Sequence, residues 1–353
     1  MPINRNKYVD VNSQDTPIIK YIKVSDMRFG LDLGCFIPEI DSDGILDSAN
    51  KSVYVANFIG VKGITGNFAY LFSDMPVLKA LFPDLETLSG AINMFYSSNI
   101  EEVTLNKLRE ISALGGQNCF RECESLAGID MPSLVLIGDY GCENFVYGDG
   151  SLKYFKAPVL TSVGERGLSG CCMNCYGLEI VDLRNLTTIG NYGMYQAFSG
   201  CTSLVSLNLS GVETIDRGAL SYICYGDTNL ESVDLSGLVE IPREGLSNAF
   251  NNCKKLETVV LSSVEKIRYY RALYRAFFGD TALKELSFPA LKDVTDEHDV
   301  NTNQFNNMLE RCSGVTVHFP SNMESVIGSW SDVTSGFGGT DTTVLFDLPS
   351  TGE

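Results

Sequence analysis

Three of the chain's 11 cysteines crowd into one short stretch, CCMNC, as Cys171, Cys172 and Cys175. Thiols this close could hold a soft metal, pair as disulfides or supply a nucleophile. A metal site needs ligands converging at about 2.3 Å from one ion. A nucleophilic cysteine needs a base within hydrogen-bond reach. The sequence has two histidines, His298 and His318, far from CCMNC, and no paired CxxC. The reading is therefore no metal, no cofactor and no thiol-based catalysis. What the thiols do must come from the elements that carry them.

Those elements repeat. Apolar residues recur as Leu-x-x-Leu-x-Leu-x-x-Leu-x-x-Ile, in copies starting at Ile100, Leu126, Leu152, Leu178, Leu204, Leu230 and Leu256. Each step is 26 residues, and a further copy follows at Leu283. Fixed self-similarity of this length marks a solenoid. One copy reads Leu204, Leu207, Leu209, Val212 and Ile215, and the next Leu230, Val233, Leu235, Leu238 and Ile241. The period-two Leu-x-Leu pair predicts a short strand. Stacked copies then form a parallel sheet with strands about 4.8 Å apart, so about ten copies reach roughly 50 Å. The rest of each copy returns the chain across the opposite side. There, segments such as YYRALYRAFFGD (Tyr269–Asp280) predict a helix and shorter ones single turns. The expected fold is an α/β repeat solenoid, a curved array of about ten repeats of 26 residues with a parallel β-sheet face and terminal caps.

On this register the thiols fall into place. Cys123, Cys175, Cys201 and Cys253 each stand three residues before the first Leu of their copy. Cys119 and Cys171 stand seven before, where other copies carry Ala197, Ala249 and Ala276. Cys172 and Cys224 stand six before, where other copies carry Phe120, Phe198, Phe250 and Phe277. A buried cysteine behaves as a small hydrophobe with a weak donor, which fits these exchanges. Cys123, Cys175, Cys201 and Cys253 are expected to form a structural thiol ladder. Ladder neighbours lie a strand spacing apart, beyond the ~3.8 Å between bridged β-carbons, so disulfides are not expected.

The units AFSGCTSL (Ala197–Leu204), AFNNCKKL (Ala249–Leu256) and CFRECESL (Cys119–Leu126) place the thiol before the strand. This arrangement resembles the BspA-type leucine-rich repeat family over about residues 53–330. HFPSNMESVIGSW (His318–Trp330) looks like that family's closing segment. The resemblance implies a curved solenoid with a binding or adhesion role on a bacterial or protist surface.

Binding would use residues between the buried strand positions, because strand side chains alternate between faces. Tyr154, Lys156, Ile180, Asp182, Asn208 and Asp234 are the expected contacts, with Tyr154 and Ile180 the large apolar members on neighbouring copies. The expected partner is a protein or glycan on a host or bacterial surface, and a homo-oligomer of the chain is a further option. With 26 basic and 44 acidic residues the net charge is −18, a field that repels nucleic acid. No run approaches the ~20 apolar residues of a membrane span.

Residues 1–50 read as an amino-terminal cap or attachment segment, 51–304 as the repeat solenoid, and 305–353 as a capping repeat and tail. The amino-terminal stretch lacks the apolar core of a secretory leader. Location is left between the cell surface implied by the family and a virion or the cytoplasm. A structural role in a virion or surface complex, through self-association of the solenoid, is the alternative function. The terminal LPSTGE (Leu348–Glu353) matches the wall-sorting motif of sortase substrates without the apolar and basic segments that follow it. A disordered end is expected after the strand TTVLFDL (Thr342–Leu348).

Overall fold

The computed structural model describes residues 19–23 and 53–350, apart from 59–60, 65–68, 71, 74–76, 269–270, 296–304 and 328–336. The chain winds as a solenoid of about ten coils, each passing along three sides. On the first side lie short strands such as Gly128–Asp130, Tyr154–Lys156 and Ile180–Asp182, paired parallel and in register with Tyr154 opposite Gly128 and Ile180. On the second side, two-residue strands from Gly63–Ile64 to Thr214–Ile215 form a continuous seven-stranded parallel sheet.

The third side is built from turns. Here the expected helix is corrected: Arg271–Gly279 forms consecutive turns, as do the equivalent segments of other coils. Every fourth residue is left-handed, as at Leu114, Asn118 and Glu122 with φ of 58°, 51° and 59°. A left-handed residue in each turn breaks the i→i−4 ladder of an α-helix. Alternate N–H groups instead reach the next coil. Those of Leu114, Gly116, Asn118, Phe120 and Glu122 donate to the carbonyls of Asp139, Gly141, Glu143, Phe145 and Tyr147 at 2.7–2.9 Å. The intervening N–H groups close the turns, as from Cys119 to the carbonyl of Gly116 at 3.0 Å. The turn side thus saturates its backbone as fully as a sheet does.

All five repeat positions of the copy Leu204, Leu207, Leu209, Val212 and Ile215 are buried. The core between the sides also contains a file of phenylalanines from the turn side, with Phe95 stacked on Phe72 at 5.0 Å and on Phe120 at 5.3 Å. Each coil buries its apolar residues against its neighbours, which is why such an array needs terminal caps.

Within residues 1–50, the described part is the strand Ile19–Lys23, which pairs parallel with Val53–Asn57. The rest of that expected cap lies outside the described residues. At the other end, Thr316–Pro320 pairs with Thr343–Leu348, and a one-turn helix, Glu324–Ile327, follows the first of these strands. Leu348 pairs with Pro320, and the Ser350 and Ser321 hydroxyls lie 2.9 Å apart, so order continues past the strand to Ser350. Thr351–Glu353 lie outside the described residues. No helix among the described residues is long and apolar enough to cross a membrane.

Candidate functional site

The first side brings Tyr154, Lys156, Ile180 and Asp182 together on adjacent strands, with Tyr154 beside Ile180 and Lys156 beside Asp182. Asn208 and Asp234 pair with each other in a separate three-stranded ladder, Ser206–Asn208 with Ser232–Asp234 and Thr258–Val260. Tyr154 lies across the neighbouring coil at Gly128, where an added Cβ would run into the Tyr154 ring. The Lys156 ammonium stands 4.7 Å from the Tyr154 ring centroid, within cation–π range. Ile180 beside them is 49% exposed.

The three polar residues at the strand ends also have local duties. The Asn208 and Asp234 side chains each accept a backbone N–H two residues on, from Ser210 and Ser236, both at 2.9 Å. Such Asx turns steer the chain out of the strand. Asp182 takes a bidentate contact from Arg184 at 2.8 and 2.5 Å, and this guanidinium holds its carboxyl below the usual range.

The thiol ladder lies inside, and the structure extends it. Cys123, Cys175, Cys201 and Cys253 are buried, each donating its S–H to a carbonyl of the preceding coil at 3.0–3.1 Å. Cys312 donates likewise to Phe277 at 2.9 Å. Asp149, Asp227 and Asp280 occupy the same slot in the intervening coils, and all three are fully buried. The sequence showed this: each stands three residues before Leu152, Leu230 or Leu283, where sister copies carry cysteine.

Burial holds these acids protonated. It pushes the Asp149 carboxyl up to about 8, and those of Asp227 and Asp280 well above the carboxylate range. Asp280 accepts the Cys253 N–H at 2.7 Å, and Asp149 accepts that of Ser151 at 3.1 Å. Asp227 faces the Cys224 thiol and the N–H groups of Cys201 and Gly200, without a well-formed hydrogen bond to either oxygen. Neutral carboxyl and thiol share a small size and one transferable proton, which explains why they alternate. All ten described cysteines are unpaired and buried, and burial raises the Cys123 and Cys312 thiols to about 12 and about 11. Thiols held in that form are poor nucleophiles and poor metal ligands.

The second side presents a shallow groove of about 220 Å³ lined by Ser162, Thr188, Thr214 and Asp216. Thr188 donates to the Ser162 hydroxyl at 3.0 Å. No group of three or more His, Cys, Asp or Glu placed to hold a metal occurs among the described residues. His318 lies instead in the carboxy-terminal sheet, between Asp347 at 2.9 Å and Glu285 at 3.7 Å.

Sequence reasoning passed over the turn side, where the outward-facing aromatic residues concentrate. Tyr192, Tyr195, Tyr222 and Tyr225 form a chain of ring contacts at 6.0, 5.7 and 5.8 Å across two coils. A signal was present, because a Tyr-x-x-Tyr pair stands between Ile189 and Cys201 and again between Ile215 and Asp227, shifted by four residues. The contacts between coils that gather these rings are not visible in a single copy.

No curated protein matches the chain in sequence. Among solved structures, a leucine-rich repeat protein of T. pallidum is 20% identical over 60% of this chain and 79% of its own, with a TM-score of 0.34. One from Bacteroides ovatus is 18% identical over 85% of this chain and 90% of its own, with a TM-score of 0.32. The pneumococcal vaccine antigen PcpA is 15% identical over 82% and 91%, with a TM-score of 0.23. The model of the BspA type leucine rich repeat region matches residues 69–174 and 168–310, in six copies. With that match across most of its length, the chain belongs to the BspA-type leucine-rich repeat family.

Proposed function

We propose that the protein is a non-enzymatic, adhesin-like binding protein that presents its strand side to a protein or glycan on a host or bacterial surface. The observation that carries this reading is the pairing of Tyr154, stacked with Lys156, beside exposed Ile180 on the next coil. An exposed aliphatic side chain next to an amphipathic aromatic ring and a cation is the composition of a binding hot spot. The protonated acids and thiols of the interior are sealed in the core, out of reach of a substrate. In this reading residues 1–50 close or attach the amino-terminal end of the array. The test is a binding array of matrix proteins and glycans, repeated with Tyr154→Ala/Ile180→Ser. The expected result is a ligand that the double variant loses while its melting temperature holds. Retention of every ligand by that variant would overturn the strand-side assignment.

One observation favours self-association as a second reading. The strand Thr343–Leu348 ends its sheet, and its outer edge is unpaired among the described residues. An open edge is a template for another chain. Light scattering that shows a monomer at high concentration would dismiss this reading.

A further inference from the structure

The turn side carries a second recognition surface, independent of the strand-side reading. Three consecutive coils hold YQAFSG (Tyr195–Gly200), SYICYG (Ser221–Gly226) and SNAFNN (Ser247–Asn252) at the same repeat places. In each, the middle pair enters the core, as Ala197 with Phe198 does. The other four residues form the outer layer. None of these twelve is charged, in a chain with 20% charged residues. All but Gln196 are Tyr, Ser, Asn or Gly, the composition of an antibody paratope, in which rigid amphipathic rings stand among small hydrogen-bonding groups. Charges stand at the rim, such as Arg217, Arg243 and Glu244 where the coils enter the turn side, and Arg271 and Arg275 on the next coil.

The tyrosines of this patch differ from others on the turn side. Tyr96, Tyr140 and Tyr192 donate their hydroxyls to Glu122, Glu165 and Glu244 at 2.8, 3.2 and 2.9 Å. Tyr147 accepts from the Asn174 amide at 3.3 Å. The hydroxyls of Tyr195, Tyr222 and Tyr225 have no hydrogen-bond partner among the described residues.

Their rings are nonetheless fixed. Tyr195 meets Tyr192 at 6.0 Å and Tyr222 at 5.7 Å, and Tyr222 meets Tyr225 at 5.8 Å. Tyr192 anchors this chain of rings, bonded to Glu244 and lying across Gly218, where a Cβ would run into its ring. The small polar groups are taken up by one another. The Asn252, Asn251 and Asn248 amides donate in series to Asn251, Asn248 and Ser247 at 2.7, 3.0 and 3.1 Å. What the patch offers a ligand is therefore preset rings with open hydroxyls, half-buried Tyr195 and Tyr222 beside Tyr225, which is 40% exposed.

We propose that this patch binds an uncharged polysaccharide, its pyranose rings resting on the tyrosines and its hydroxyls bonded to theirs. The class follows from charge. A chain of net charge −18 repels an acidic glycan, and the twelve residues include no cation to offset that field. A cationic ligand would find stronger sites on the acidic remainder of the surface. A protein partner brings charges of its own, which these residues would desolvate without pairing. Strand addition has no edge to use, because the turn-side N–H and carbonyl groups are bonded between coils. A sugar presents C–H faces and hydroxyls together, which matches the apolar body and polar tip of tyrosine.

The test titrates the full chain by calorimetry with dextran, laminarin, galactomannan, polygalacturonate and gelatin, at low and at physiological salt. Binding is expected to at least one of the three neutral polysaccharides, and salt should leave it unchanged because no charge pair forms. Tyr195→Ser/Tyr222→Asn and Tyr225→Ser install residues that are native at the same place one coil away, Ser221, Asn248 and Ser199. Asn248 shares the left-handed backbone of Tyr222, with φ of 54° against 57°. Each variant should weaken binding about tenfold or more with the melting temperature retained. Tyr154→Ala/Ile180→Ser on the strand side should leave binding unchanged, so the two surfaces fail or succeed separately. No binding to any neutral polysaccharide, or binding that the tyrosine variants leave intact, would sink the proposal. Tighter binding to polygalacturonate would also reject it, and binding to gelatin alone, lost in the tyrosine variants, would replace it with a protein partner.

Discussion

The strand side and the turn side of each coil solve the same backbone problem with different displays. On the strand side residues alternate one in, one out, and the outward ones stand alone. Several are occupied locally: Asn208 and Asp234 by Asx turns, Asp182 by Arg184. On the turn side residues run in pairs, two into the core and two on the outer layer, where some pairs such as Ser247 and Asn248 are themselves covered. Outward pairs such as Tyr274 with Arg275 therefore build patches within one coil. Inward pairs such as Ala249 with Phe250 carry much of the core. The less regular-looking side thus carries both the dense packing and the larger display.

The largest expected effect breaks that packing. Phe250 is 1% exposed and stacks on Phe277 with centroids 5.7 Å apart. Phe250→Ala removes a ring between two coils that cannot collapse without breaking their cross-coil hydrogen bonds. It should cost about 3–5 kcal/mol, the usual range for a buried phenylalanine. Denaturant unfolding followed by circular dichroism would measure it. A loss under about 1 kcal/mol would mean that the turn side packs loosely and that the strand side holds the fold.

The acids in the thiol column give the next effect, visible through pH. Asp149 titrates near 4 when unfolded and at about 8 when folded. Between those values the folded chain binds the extra proton. Its contribution is greatest below pH 4 and falls as pH rises toward 8, by up to about 1.4 kcal/mol per pH unit. Asp227 and Asp280 act in the same direction. Asp149→Asn keeps the size and loses the titration. Its stability relative to the parent should therefore rise between pH 5 and pH 8, measured by denaturant melts at both. Parallel pH profiles would show that Asp149 is not held neutral. The turn-side core would then bury a charge.

How legible these features were depends on their physical origin. The strand side was readable because burial and a period of two act on adjacent residues, so Leu207 and Leu209 announce it. The thiol column was half readable. Cys201 and Cys253 stood out as unusual residues, whereas Asp149 and Asp227 read as solvated acids until the 26-residue register placed them beside thiols. The longest return segment was misread because Tyr274, Arg275 and Ala276 favour a helix locally. What forbids the helix is the hydrogen bond from Asn248 to the Tyr274 carbonyl, made by another coil 26 residues away. Local propensity carries no trace of such a partner. The outward aromatic patch was lost for the same reason, because its rings meet across coils.

The smallest expected effect on stability is also the sharpest division between the two sides. Ile180 is half exposed and faces out from the start of its strand, so Ile180→Ser should change stability by no more than about 0.5 kcal/mol. Neighbouring Gly128 is different although it lies on the same side. A methyl there meets the Tyr154 ring, so Gly128→Ala should lift Tyr154 off the sheet without touching the core. Tyrosine fluorescence is too crowded by the chain's other tyrosines to report this. The amide chemical shifts of residues 128 and 154–156 would. If Gly128→Ala moves those shifts and weakens the strand-side ligand while Ile180→Ser weakens it alone, the strand side works as a preset surface, with the Tyr154 ring held in place by a missing side chain. If Gly128→Ala moves the shifts and binding is unaltered, Tyr154 is only covering a gap between coils, and the display that matters lies on the turns.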